Sequence, residues 1–149
     1  MEVRLATPAD EEDVCRLWTL LLDFYKKQAS PEVLRRSFRY AVNHPQKVLI
    51  FIIMIEGVVT GTVSLHLGHF STWNNNFYGH LEDLIVDPAC RGRGMAEKLL
   101  RQAIDAAREN NLSRVELNAL NDNEAARKLY EKLGFTTNSV VYELPLNKT

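Results

Sequence analysis

The sequence predicts an α+β fold, a three-layer arrangement in which a mixed sheet lies between helices on both faces. Three observations predict it: two helix-start signals near the N-terminus, a β-branched apolar run that turns back on itself, and one long amphipathic segment. A hairpin-rich first half is followed by a strand-helix-strand-helix-strand second half, which indicates a mixed sheet and not a doubly wound one. The predicted order of elements is β-α-α-β-β-β-α-β-α-β.

The first helix-start signal follows a short alternating strand over residues 3–6. Thr7 stands at a cap position and Pro8 at the first helical position, and acidic residues fill the first turn. An apolar stripe then recurs at helical spacing. Ser30 and Pro31 repeat the signal for a second helix, which Pro45 ends.

The middle of the chain predicts three strands. Residues 47–55 are β-branched and almost continuously apolar, which is typical of a strand covered on both faces. Glu56 and Gly57 predict a hairpin turn into a strand over 58–67, and the polar residues 68–76 predict a loop. A further strand over 78–87 ends before a proline.

The second half contains the clearest helix, over residues 94–110, with one apolar face and an outward i,i+4 pair between Glu97 and Arg101. Residues 114–119 alternate as a strand. Asn121 with Glu124 three residues later resembles a capping box for a last helix, which Gly134 ends. Residues 139–144 predict a final strand.

Composition narrows the class of protein. A chain of 149 residues predicts one domain over 1–149, and 46% hydrophobic with 25% charged residues is ordinary for a globular protein. A net charge of -1 gives no electrostatic reason to expect nucleic acid. Cys15 and Cys90 have neither disulfide-framework nor metal-site spacing, and the histidines show no ligand arrangement, so no metal is predicted.

The sequence shows neither a secretory leader nor a membrane-spanning run. Residues 1–13 are charged and contain a proline, unlike a secretory leader, and the most apolar run, 48–55, is far too short to span a membrane. We therefore expect a cytoplasmic domain with no membrane partner.

A glycine-rich turn separates the strand over 78–87 from the long helix. The amides of such a turn, with the unpaired N–H groups that begin a helix, form a concave anion site, and Arg91 and Arg93 add charge that suits a pyrophosphate. The spacing matches neither G-x-x-x-x-G-K-[ST] nor G-x-G-x-x-G. A tight turn without a ligand is the alternative interpretation.

Two motifs resemble those of one enzyme superfamily. Residues 84–96, L-I-V-D-P-A-C-R-G-R-G-M-A, resemble the central motif of the GNAT superfamily of acetyl-CoA-dependent N-acetyltransferases, with Arg91, Gly94 and Ala96 on its defining positions. The second motif of that superfamily, N-x-x-A-x-x-x-Y followed by G-F, matches Asn123, Ala126, Tyr130, Gly134 and Phe135. With the start R-x-A-T-P-A-D, the resemblance covers essentially the whole chain and implies a mainly antiparallel sheet.

The resemblance implies a set of residues that bind acetyl-CoA as co-substrate. Backbone groups of Leu84, Ile85 and Val86 would pair with the pantetheine arm like an added strand. Asn123 and Ala126 would contact the cofactor, and Tyr130 would lie near the thioester sulfur. The pyrophosphate would be held by the amides of Arg91, Gly92, Arg93, Gly94, Met95 and Ala96.

Acetyl transfer to an amine needs a base, an oxyanion donor and an acid. Simple alternation puts Glu82 on one face of its strand and Asp83 on the other, and two acids within an apolar strand are costly if buried unpaired. Either could be the base, Glu82 before Asp83 and with His80 as a third candidate; alternatively, one caps a loop and the other lies at a solvated edge. The superfamily resemblance implies Tyr130 as general acid to the thiolate, although its helical spacing alone favours a core tyrosine.

The acceptor amine is less well determined. Residues 79–83 resemble the glucosamine-6-phosphate N-acetyltransferase group, and residues 69–73 with 81–83 resemble the diamine and thialysine group. Basic residues of the two first helices disfavour a polycation, though they could equally be a solvated face. The aromatic residues Trp73, Phe77 and Tyr78 could line an acceptor pocket or a dimer contact.

The leading hypothesis is an N-acetyltransferase of a small-molecule primary amine, acting by direct attack in a ternary complex, with a homodimer possible. The alternatives are a protein lysine or N-terminal acetyltransferase, a non-catalytic acetyl-CoA-binding module, and a nucleotide-binding protein.

Overall fold

The computed structural model describes residues 1–120 and 122–147. Within the chain, contacts define two compact units, Met1–Leu117 and Asn118–Thr149, and each is described by itself. A single domain over 1–149 therefore stays a prediction. None of the helices in the described part of the chain is long and apolar enough to cross a membrane.

Five strands and four α-helices make up the described elements. The strands are β1 (Glu2–Leu5), β2 (Val48–Ile55), β3 (Val58–Ser71), β4 (Asn76–Val86) and β5 (Val115–Leu117). The helices are α1 (Glu11–Phe24), α2 (Pro31–Asn43), α3 (Met95–Glu109) and α4 (Glu124–Lys132), and a 3-10 turn over Pro8–Asp10 precedes α1. Neighbouring strands pair in chain order, antiparallel except for the parallel β4–β5 pair. The predicted three-layer class is confirmed.

The sheet of the first unit is covered on both faces. Ile50 and Ile52 of β2 pack on one face against the apolar stripes of α1 and α2, whereas Ile53 lies on the other face with Leu99 of α3 beside Gly61. All three isoleucines are buried. The continuous apolar pattern of β2 thus reflects contact with helices on both sides, as predicted.

The connection between β3 and β4 differs from the predicted loop over residues 68–76. β3 continues to Ser71, with Phe70 opposite Phe77 and Ser71 opposite Asn76, and a register shift between His66 and His69 accommodates one extra residue of β3. Asn75, at a φ of 47°, forms the turn in the left-handed region that asparagine tolerates. A long bulged hairpin therefore replaces the loop.

The C-terminal unit contains α4 and no strand over the described residues 135–147. The predicted final strand, 139–144, is wrong, because an alternating pattern becomes a strand only where another strand pairs with it. Tyr142 is 94% exposed. The predicted cap Asn121 lies outside the described residues, and the observed N-cap is Asn123, whose side-chain oxygen accepts a hydrogen bond from the Ala126 amide at 3.2 Å.

Candidate active site

A β-bulge in β4 creates the acidic part of the site. Thr62 pairs with Ile85 and Ser64 with Glu82, so Asp83 and Leu84 together oppose one residue of β3. Asp83 has a φ of 56°, the left-handed conformation that the first residue of a G1 bulge adopts. A bulge shifts the in-and-out alternation of side chains from this point on.

The bulge overturns one prediction. Alternation put Glu82 and Asp83 on opposite faces, but their carboxylate oxygens and a ring nitrogen of His66 all lie within 4.8 Å of one another. Cross-strand pairing of Ile50 with Ser64, and of Ser64 with Glu82, places Glu82 on the sheet face that carries α1 and α2. The bulge therefore brings the carboxylates of Glu82 and Asp83 together on the sheet face that carries α1 and α2.

Two histidines flank the Glu82 carboxylate. His66 Nε2 lies 3.5 Å from Glu82 Oε2, and His80 Nε2 lies 3.5 Å from Glu82 Oε1. These separations exceed an ordinary N–H···O hydrogen bond, and Glu82 accepts none from the described residues. Its lone pairs are available to take a proton.

His66 is a site residue that the sequence analysis missed. The only signal that could have identified His66 is the pairing of β3 with β4, which places His66 directly opposite His80 and so beside Glu82. Nothing in the local pattern of β3 fixes that register, since the bulges on either side of the pair are required to produce it.

Asp83 is the second carboxylate and differs from Glu82 in its surroundings. It lines a cavity and keeps contact with solvent, but the protein atoms around it partly desolvate the carboxyl group, which is the largest cause that raises its pKa; the negative charge of Glu82 raises it further, and His66 opposes both. Asp83 accepts no hydrogen bond from the described residues. Sequence reasoning ranked it below Glu82, whereas the geometry presents the two as a pair.

A cavity of about 1120 Å³ opens on this face of the sheet, large enough for a small-molecule acceptor. Helix α1 contributes Trp18, helix α2 forms a second wall, and β2, β3 and the bulge form the floor. Its lining residues are Trp18, Val33, Arg36, Ser37, Tyr40, Ala41, Lys47, Val48, Ile50, Ser64, His66, Gly68, His69 and Asp83. Trp73, Phe77 and Tyr78 are not among them; Trp73 is 97% exposed, and the Arg114 guanidinium lies 3.8 Å above the Tyr78 ring.

His66, Glu82 and Asp83 form a set whose donors could also hold a cation. One imidazole and two carboxylates suit a divalent metal ion, and the same carboxylates suit an ammonium group. The sequence predicted no metal, because it gave no sign that His66 joins the two acids.

The glycine-rich turn has the form that an anion site requires. Gly92 and Gly94 have φ values of 82° and 74°, and Gly94 is the N-cap of α3. The backbone N–H groups from Gly92 to Ala96 donate to no acceptor among the described residues. They are therefore available to a ligand. Arg91 Nε donates to the Val86 carbonyl at 3.3 Å, which ties the turn to the end of β4.

The edge of β4 that faces β5 is only partly paired. The parallel ladder joins residues 79–81 to 115–117 and ends with Leu81 opposite Leu117. Beyond it, Ile85 and Val86 pair with β3 alone among the described residues. Among the described residues no strand covers the other edge of Leu84, Ile85 and Val86, so this edge is open to an added extended chain except where the Val86 carbonyl accepts the Arg91 side chain.

In the C-terminal unit, the residues of the second motif begin and end α4. Asn123 caps the start, and Gly134, with a φ of 97°, ends the helix in the left-handed conformation. The Phe135 amide donates to the Tyr130 carbonyl at 3.0 Å, and the two rings meet edge to face with centroids 6.1 Å apart. Tyr130 is half-buried. The motif therefore has a structural role of its own.

A cavity lined by Asp83 with Glu82 beside it, an open strand edge and an amide-lined turn are the parts of a group-transfer enzyme with an anionic co-substrate. The chain belongs to the acetyltransferase (GNAT) family, whose model matches residues 14–135. The predicted family and enzyme class, an acyltransferase, are confirmed by this match and by the named relatives.

Curated relatives act on different kinds of acceptor according to their names. The chain is 34% identical over 112 residues to the N-alpha-acetyltransferase MAK3 of Arabidopsis thaliana, covering 74% of this chain and 56% of that protein. It is 33% identical to the glucosamine 6-phosphate N-acetyltransferase of Trypanosoma brucei brucei, and the match covers 53% of this chain and 52% of that protein. The chain spans about half the length of these two relatives. An aminoalkylphosphonate N-acetyltransferase of Salmonella typhimurium is 27% identical, and the match covers 90% of this chain and 84% of that protein.

Solved structures share the fold. A crystal structure of a probable acetyltransferase aligns with a TM-score of 0.89 at 25% identity over all of both chains. A protein of Clostridium acetobutylicum described as a predicted acetyltransferase, solved with acetyl-CoA, aligns with a TM-score of 0.81 at 21% identity, covering 97% of this chain and 96% of that chain. These alignments support the three-layer class and the mainly antiparallel sheet.

Proposed function

We propose that this protein transfers the acetyl group of acetyl-CoA to the primary amine of a small molecule, by direct attack in a ternary complex. The observation that carries the proposal is the pair of carboxylates, Glu82 and Asp83, without hydrogen bonds from described residues and on the face that holds a cavity of about 1120 Å³. A pocket of this size favours a compact acceptor over the flat surface that a protein acceptor would use.

Glu82 is the proposed base. An alkylamine with a pKa of about 10.4 is neutral in only about one molecule in 2,500 at pH 7, so a proton must leave the nitrogen before or during attack. Glu82 takes it, directly or through a water, since neither flanking histidine holds its oxygens at hydrogen-bond distance. The neutral nitrogen then bonds to the thioester carbon.

The remaining steps use backbone and tyrosine groups. The carbonyl oxygen gains negative charge, which the amide of Leu84 or Ile85 at the bulge would stabilise. The C–S bond breaks, and the electron pair leaves with the sulfur of CoA. Tyr130 is the proposed donor of the proton that this thiolate takes up, completing the exchange of one acetyl group and one proton.

Acetyl-CoA is the proposed co-substrate. The free amides from Gly92 to Ala96 support binding of a pyrophosphate, with Arg91 and Arg93 adding positive charge, and the open edge of Leu84–Val86 supports pairing with the pantetheine amides. A structural neighbour was solved with acetyl-CoA. The Asn123 and Ala126 contacts to the cofactor remain part of the proposal. A cytoplasmic location and a homodimer also stay predictions.

A protein acceptor is the second candidate, because one relative is named an N-alpha-acetyltransferase. A non-catalytic acetyl-CoA-binding module is disfavoured by the uncommitted acids at the cavity.

The test is release of free thiol from acetyl-CoA across a panel of small amines and short peptides. We expect turnover with at least one small amine, and turnover with peptides alone would favour the second candidate. If acetyl-CoA raises the melting temperature but no acceptor releases thiol, the protein is a binding module. Tyr130→Phe is expected to lower kcat by about 10-fold or more; unchanged kcat would remove Tyr130 as acid.

A further inference from the structure

Charged residues of opposite sign occupy opposite ends of the acceptor cavity. Arg36 of α2 and Lys47, immediately before β2, line it at the β2 end, and Asp83 lines it at the β4 end, with Glu82 beside it. A cavity for a plain amine or a polyamine would need the acids alone.

Neither cation at the β2 end is used by the fold. Among the described residues, no carboxylate lies within ion-pair distance of Arg36 or Lys47, whereas the neighbouring Arg39 pairs with Glu11 at 2.6 Å. The sequence alone does not distinguish among the basic residues Lys26, Lys27, Arg35, Arg36 and Arg39 of this region. The structure separates a paired arginine from an unpaired one that lines the cavity.

The pairing of the strands gives the distance between the two charged ends. The Leu67 amide donates to the Lys47 carbonyl at 2.9 Å, which places Lys47 beside the end of the β2–β3 ladder, while Ser64 of β3 pairs with Glu82 of β4. From β2 to β4 is two strand spacings, about 10 Å, and the three residues from Ser64 to Leu67 add about 10 Å along the strand, so the two backbone positions lie about 14 Å apart. Long Arg and Lys side chains can shorten this gap by several ångströms.

A third observation also points to a ligand. Trp18 lines the cavity and is 8% exposed, yet its buried indole Nε1 has no hydrogen-bond partner among the described residues. Buried N–H groups are rarely left unpaired. The wall of the cavity therefore contains a polar group that the fold itself leaves unsatisfied.

We propose that the acceptor is an anion-bearing amine, whose phosphate, phosphonate or carboxylate group lies against Arg36 and Lys47 while its amine lies against Glu82 and Asp83. This inference rests on the proposed function, since it identifies the substrate class of the same cavity. The two charge contacts orient the molecule so that the nitrogen, and not the anionic end, faces the base.

The experiment uses matched pairs of amines that differ in the anion: glucosamine 6-phosphate with glucosamine, and 3-aminopropylphosphonate with propylamine. Thiol release gives kcat/KM for each compound, and isothermal titration in the presence of CoA gives its binding. We expect the anion-bearing member to exceed its partner by about 10- to 100-fold in at least one pair, which is the effect of one or two charge-assisted contacts.

Variants locate the effect. In Arg36→Gln and in Lys47→Gln the ratio of kcat/KM within the preferred pair should fall by about 10-fold or more, through a rise in KM. Arg35→Gln is the matched control, because it removes the same charge one residue away at a side chain that does not line the cavity. Its ratio should match that of the unaltered protein.

The outcomes separate the two proposals. Equal values within every pair, or a ratio that survives loss of both cations, overturns the anion-bearing acceptor while leaving acetyl transfer intact. Preferential binding of the anionic member without thiol release supports the acceptor class and removes the activity. If no member of any pair binds or reacts, the acceptor class is wrong.

Discussion

Two acidic residues of this protein, Asp10 and Asp83, have opposite surroundings. Asp10, where β1 leads into α1, receives two hydrogen bonds from the Arg4 guanidinium, at 2.8 and 3.1 Å, and two from Thr7, at 2.7 Å from the amide and 3.2 Å from the hydroxyl. Asp83, at the β4 bulge, receives none from the described residues. The first carboxylate is fully satisfied by the fold, and the second is left for something else.

The pKa values shift accordingly. Hydrogen bonds from Arg4 are the largest cause that lowers the pKa of Asp10, whereas enclosure and then the charge of Glu82 raise the pKa of Asp83. The difference teaches that an acidic side chain can be structural or functional, and that its hydrogen-bond partners distinguish the two.

The largest expected effect is on catalysis at the bulge. Glu82→Gln keeps the shape of the side chain but removes the proton acceptor, so kcat/KM with the best amine should fall by about 100-fold or more at neutral pH. Thiol release measures it. The melting temperature should not fall, because no hydrogen bond from a described residue is lost.

Full activity in Glu82→Gln would transfer the role of base to Asp83 or His80. A large loss of stability instead would mean that Glu82, like Asp10, has a structural role, and the contrast between the two sites would fail.

The next largest effect is on stability at the corner between β1 and α1, which contains Thr7 and Asp10. Asp10→Ala leaves the Thr7 amide and the Arg4 guanidinium without their acceptor, and the free energy of unfolding should fall by about 2–4 kcal/mol. Urea unfolding measures it. The sign with pH follows from the lowered pKa: the stability that Asp10 provides is present above its usual pKa and is lost as pH falls through the lower folded value.

The activity of folded Asp10→Ala, corrected for the unfolded fraction, should equal that of the unaltered protein. A catalytic defect would show that this corner also shapes the site.

The corner was predictable from sequence in a way that the bulge was not. Thr7 and Pro8 carry a local start signal, and local hydrogen bonds over three residues produce it. The hairpin at Glu56 and Gly57 was predictable for the same reason, and their φ values of 50° and 81° confirm the turn.

The bulge depends on non-local pairing. Glu82 and Asp83 are adjacent, so a regular strand would direct their side chains to opposite faces. Only the register of β4 against β3 shows that an extra residue brings the two carboxylates to one face. His66 and Lys47 join the site through the same pairing. Likewise the pattern of 139–144 resembles a strand, but a strand exists only with a partner, which local sequence does not specify.

A smaller effect is expected at Asp83. Because its folded pKa is raised, the ionised carboxylate costs stability at neutral pH, and that cost disappears as pH falls through the folded value towards the usual one. Asp83→Asn should therefore raise the melting temperature at pH 7 and not in acid, and asparagine tolerates the φ of 56°. Thermal melts across pH would show the reverse of the dependence expected for Asp10; a lowered melting temperature at pH 7 contradicts the assignment.

The smallest effect sharpens what makes Asp10 structural. Arg39 binds Glu11 with the same two-pronged geometry, at 2.6 and 3.1 Å, but its side chain is 62% exposed and no backbone amide joins the pair. Exposed ion pairs are screened by water and salt, so Arg39→Gln should shift the urea midpoint far less than Asp10→Ala does, and the small shift should vanish at high salt. Equal shifts in the two variants would mean that the guanidinium contact alone stabilises the corner, and that burial and the Thr7 amide add nothing. A large difference would assign the stability to burial of Asp10 and to the hydrogen bond from the Thr7 amide, a donor that Asp83 does not have among the described residues.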